Sequence, residues 1–74
     1  MNINEAEFKS VSKSELAEFL GINISTLRLR FEAMEEDRVI QGGWRKLKVL
    51  TPGLVKSYVL YFGEPANVKV LVKS

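Results

Sequence analysis

The side chains that could do chemistry here are arginines, lysines and short hydroxyls. The chain has 74 residues, with no cysteine and no histidine. Disulfides, thiolate metal sites and a cysteine nucleophile are therefore excluded, and the commonest general base and usual zinc ligand are missing. No nucleophile–base pair, no paired carboxylates in an evident cleft and no phosphate-cradling glycine loop stand out, so the expectation is a binding module rather than an enzyme, with no cofactor and no metal. The cationic groups lie at telling places instead. Arg28 and Arg30 sit inside one stretch with Ser25, Thr26 and Leu29, and Arg45, Lys46 and Lys48 form a second cluster. Guanidinium and ammonium groups at such positions suit phosphate, and an arginine can also read guanine bidentately.

The net charge is only +2, but it is unevenly spread. From residue 41 onward Arg45, Lys46, Lys48, Lys56, Lys69 and Lys73 stand against Glu64 alone, whereas Glu32, Glu35, Glu36 and Asp37 crowd a short acidic run. A basic C-terminal half fits contact with a polyanion. Hydrophobic residues make up 46% and charged residues 27%, as expected of one folded domain with one core. No apolar run is long enough to span a membrane and residues 1–10 have no apolar leader, so a cytoplasmic location is expected.

These residues need elements to position them. Ser12-Lys13-Ser14-Glu15 is a capping box, Val11 and Leu16 are spaced as a staple, and a helix is predicted from Lys13 to Leu20, stopped by Gly21. Asn23 caps a second helix, Ile24 to Glu36, whose buried stripe is Leu27, Phe31 and Met34. At ~100° per residue, Ser25, Leu29 and Thr26 face away from that stripe, with Arg28 and Arg30 flanking. Leu29 can only pack, as on a thymine methyl. Arg28 could instead pair with Glu32 four residues on. Val39 to Leu50 is predicted as a β-hairpin turning at Gly42-Gly43, with Leu47 and Val49 inward and Lys46 and Lys48 outward. Trp44 is expected to cover the core. Thr51-Pro52 heads a third helix ending at Gly63. Its apolar side is broad, and Tyr58, Leu60 and Tyr61 are the candidates for a homodimer or protein-partner surface. The domain plan is an irregular arm over 1–10, two helices over 11–37, a wing over 38–50, a helix over 51–63, and a tail or strand over 64–74.

The run Leu16-Ala17-x-x-Leu20-Gly21-Ile22-x-x-x-Thr26-Leu27-Arg28 resembles the helix-turn-helix of bacterial DNA-binding proteins. Thr26-Leu27-Arg28 with Phe31-Glu32 resembles the Thr-Leu-Arg-Tyr-Tyr-Glu run of MerR-type regulators. A hairpin with Arg45 near its start, then a strand and a Thr-Pro-headed helix, resembles their wing and the helix after it. Phage excisionases and small terminase subunits share that arrangement. Leu50-Thr51-Pro52-x-x-Val55 leading to Tyr61-Phe62-Gly63-Glu64-Pro65 is similar to the ending of a small uncharacterised bacterial family. The resemblance covers residues 11–65. It implies a mainly α winged helix-turn-helix fold and sequence-specific binding of double-stranded DNA. The DNA-binding set would be Ser25, Thr26, Arg28, Leu29, Arg30, Arg45, Lys46 and Lys48, with Lys13 and Ser14 at a phosphate. The chain shows no long dimerisation helix or effector domain of a MerR regulator, which points to a small regulator or an accessory factor in phage or mobile-element recombination. The alternative is a protein-interaction module that uses the same fold through its acidic helix end and third helix.

Overall fold

Side-chain caps set where the helices begin. In the computed structural model, which describes residues 4–73, strand β1 (Val11–Ser12) runs directly into helix α1 (Lys13–Leu20). The Ser12 hydroxyl accepts from the Glu15 amide at 3.0 Å, and the Glu15 carboxylate accepts from the Ser12 amide at 3.2 Å. Gly21 closes α1 in the left-handed region, at φ 71°. Asn23 then caps helix α2 (Ile24–Glu36) by accepting from the Thr26 amide at 2.8 Å. Thr51 caps helix α3 (Pro52–Phe62) by accepting from the Leu54 amide at 3.3 Å, with Pro52 at the first helical position. All three helices have the predicted bounds, and each cap satisfies an amide that the helix start leaves without an internal partner.

The apolar stripes then meet. Leu16 and Ala17 of α1, Leu27, Phe31 and Met34 of α2, and Val55, Tyr58 and Val59 of α3 are buried in one core. Phe31 stacks on Tyr58, with ring centroids 5.8 Å apart. Phe8 enters the core from the arm and Val68, Leu71 and Val72 enter it from the tail. Phe8 and Val72 form an antiparallel bridge, supported by Lys9 N–H to the Leu71 carbonyl and Lys73 N–H to the Glu7 carbonyl, both 2.8 Å. The tail is thus neither a free end nor a regular strand. It makes a 3-10 turn, Val68–Leu71, before pairing with the arm. The first three residues of the 1–10 arm and the last of the 64–74 tail lie outside the described residues.

The hairpin over 38–50 does not form. Strand β2 (Val49–Leu50) pairs antiparallel with β1, Val11 opposite Leu50 and Ser12 opposite Val49. Gly42–Lys46 is instead a 3-10 turn. The physical cause is Trp44, which a solvated hairpin would leave exposed. The turn drops its indole into the core at 3% exposure, 5.4 Å from Phe31 centroid to centroid, with its Nε1–H donating to Glu35 at 2.8 Å. The expected alternation fails with the hairpin: Val49 faces solvent, Leu47 is half-buried and Leu50 is the core residue. The described fold is therefore mainly helical, with one short antiparallel strand pair.

Candidate nucleic-acid interface

The exposed side of α2 is set by the burial of the other. Leu27 and Phe31 are buried, so Ser25 and Leu29 point outward and Thr26 is half-buried at the edge. Leu29 is 65% exposed. Arg28 is also exposed and forms no ion pair among the described residues. Glu32, its candidate partner one turn on, pairs with Arg45 instead.

Beside Arg28 lies a cleft lined by Lys13, Arg28, Glu32, Trp44 and Arg45. Three elements build it: the first residue of α1, the middle of α2 and the 3-10 turn. Buried Trp44 is its floor. The Lys13 ammonium lies 5.3 Å and the Arg45 guanidinium 4.7 Å from the indole ring centre. Lys13 also donates to the Arg45 carbonyl at 3.2 Å. Arg45 is held by Glu35 at 3.2 Å and Glu32 at 3.6 Å. Partial burial and then the positive charge of Arg28 lower the pKa of Lys13 below that of an ordinary lysine. Lys13 and Arg28 thus place two mutually repelling cations at the edge of an open cleft that Glu32 also lines.

The expected residues thus separate into groups. Lys13, Arg28 and Arg45 come together. Ser14, Lys46 and Lys48 are exposed nearby in sequence, but do not line this cleft. Arg30 does not flank the outward face. Its guanidinium donates to the Tyr58 hydroxyl at 2.6 Å and lies 5.7 Å from the Phe62 ring centre. Because α3 packs against that side of α2, Arg30 ties the two helices together. Glu35 and Glu32 are the members that sequence reasoning left out of the cationic site. Their signal was present, since Arg28, Glu32 and Glu35 fall on one side of the helix at ~100° per residue.

The opposite end has different chemistry. Leu60, Tyr61 and Phe62 are exposed at the end of α3, and the Tyr61 hydroxyl donates to Asp37 beyond the end of α2. That hydrogen bond, then desolvation and the Asp37 charge, raises the Tyr61 pKa. Tyr58 is buried and so is no part of an outer surface.

Comparison with protein-family models, with curated proteins and with solved structures finds no match to this chain. Among the described residues, no helix is long and apolar enough to cross a membrane.

Proposed function

We propose that this protein binds double-stranded DNA as a small helix-turn-helix module whose wing is reduced to the Gly42–Lys46 turn. Helix α2 enters the major groove N-terminal end first, with Ser25 and Leu29 toward the bases. Lys13, Arg28 and Arg45 take the phosphates on one edge of the groove, and Lys46 and Lys48 follow the same strand. The acidic residues at the far end of α2 then point away from the duplex, where they repel it least. The observation that carries this reading is the cleft that gathers Lys13, Arg28 and Arg45 around Glu32 and Trp44 and borders the open face of a capped helix. The role is binding without catalysis, in a regulator or a recombination accessory factor acting in the cytoplasm.

Salt dependence tests it. Each phosphate that the protein neutralises adds about 0.9 to the steepness of log affinity against log salt. Arg28→Ala is expected to weaken binding to random-sequence duplex and flatten that slope by about one. The exposed site predicts an unchanged melting temperature. Wild-type protein that binds no duplex at low salt contradicts the reading.

A second reading rests on the exposed Leu60, Tyr61 and Phe62 beside Asp37. That end would receive a protein partner or a second copy of the chain. Binding there survives Arg28→Ala, whereas DNA binding does not.

A further inference from the structure

Few side chains on the leading turns of α2 are open to a base edge. Leu27 and Phe31 are in the core, and Ile24 and Thr26 are half-buried. Arg30 is bound to Tyr58, and Arg28 sits on the flank with Lys13 at the cleft. The centre of the face is left to Ser25 and Leu29, one turn apart. Leu29 is the most exposed large apolar side chain among the described residues. The helix carries no asparagine or glutamine, and the Asn23 side-chain oxygen is already engaged in the cap, so no amide on this face reads adenine. Glu32 and Glu36 share the angular face, but Glu32 is paired with Arg45 and Glu36 lies ~10 Å further along the axis, at the end directed away from the duplex.

An isobutyl group has no donor and no acceptor. Pressed against polar base atoms it would strip their water and return nothing. The one apolar group in the major groove is the methyl on C5 of a pyrimidine. On the DNA-binding reading above, we propose that Leu29 reads this C5 methyl itself. Thymine and 5-methylcytosine are then accepted at one position, while uracil and unmethylated cytosine are disfavoured there. Binding thereby responds to cytosine C5 methylation at that position, without a polar contact to the base. Burying one methyl-sized group contributes about fourfold in affinity.

The test starts from duplexes that the wild-type protein selects from a random library. Each thymine of a selected site is replaced in turn by deoxyuridine, and each T·A pair by C·G or by 5-methylcytosine·G. Dissociation constants are measured for wild type and Leu29→Ala, with thermal unfolding to verify that the exposed-site variant folds. The expected result is a thymine position in the selected site where deoxyuridine weakens wild type about fourfold and leaves Leu29→Ala unchanged, and where 5-methylcytosine outperforms cytosine for wild type alone. Equal effects on both proteins at every position, or no advantage of 5-methylcytosine over cytosine, overturn the inference while leaving DNA binding intact. A wild-type protein that selects no duplex overturns the DNA-binding reading and this inference with it.

Discussion

Arg45 has two sets of partners available, and only one is inside the protein. Its guanidinium rests on buried Trp44 and pairs with Glu32 and Glu35, both pairs lying across solvent-accessible surface. Exposed pairs of this kind stabilise a fold by ~0–1 kcal/mol, so a phosphate can displace the carboxylates at little cost. On the proposed DNA-binding reading, Glu32 opposes a phosphate twice, by occupying Arg45 and by placing a negative charge in the cleft. On that reading Glu32→Gln is expected to raise duplex affinity by up to about fivefold at low salt, the equivalent of that pair energy, and to cost no more than ~1 kcal/mol of stability. An affinity that falls would show that Glu32 serves to hold Arg45 in position. At this scale the outward set was legible, because ~100° spacing places Ser25 and Leu29 opposite Leu27 and Phe31. Arg30 was not legible from α2, because its partner Tyr58 lies 28 residues on in another helix.

The caps of the elements were the most legible feature, since Ser12 with Glu15, Asn23 and Thr51 each act within three residues of chain. The 38–50 region was not, because Gly42-Gly43 permits a hairpin and a 3-10 turn alike. The choice was made by a tertiary event, the burial of Trp44 against Phe31 with Glu35 on its N–H. The chain turns through the left-handed region after α1 at Gly21, the favoured residue, and after α2 at Arg38, just past the Asp37 cap, without it. Gly21 has φ 71°, and a Cβ there would meet nothing within 4 Å, so Gly21→Ala costs only its backbone strain. Arg38 takes φ 60°, with its amide bonded to the Glu35 carbonyl and the Val39 amide to the Met34 carbonyl. Urea unfolding is expected to find Gly21→Ala destabilised by ~1 kcal/mol and Arg38→Gly stabilised by ~0.5–1 kcal/mol. The same sign for both would contradict the cap assignments.

At the scale of the whole described fold, the core is closed by the arm and the tail. The Phe8–Val72 bridge brings arm and tail together, and Val68, Leu71 and Val72 complete a core that the three helices leave open. The sequence marked residues 64–74 as a tail or strand but not its destination, since a segment this short pairs according to which edge the rest of the fold leaves available. A chain of this size has ~4–11 kcal/mol of total stability, so one tail residue matters. Leu71→Ala is expected to cost ~2–5 kcal/mol in denaturant unfolding. Val70→Ala, one position earlier and 58% exposed, is expected to stay within ~0.5 kcal/mol of wild type. Similar effects of the two would mean that the tail does not pack as described. Arm and tail take no part in the cationic cleft, yet they complete the core against which α2 presents its outward face.

Docking of α2 on DNA is tested most directly by following backbone amide NMR shifts while short duplex is added. The proposed binding mode predicts shifts concentrated at Lys13, Ser25 to Leu29, and Arg45 to Lys46, with little change at Leu60 to Glu64. No shifts at low salt, or shifts confined to the end of α3, would contradict it.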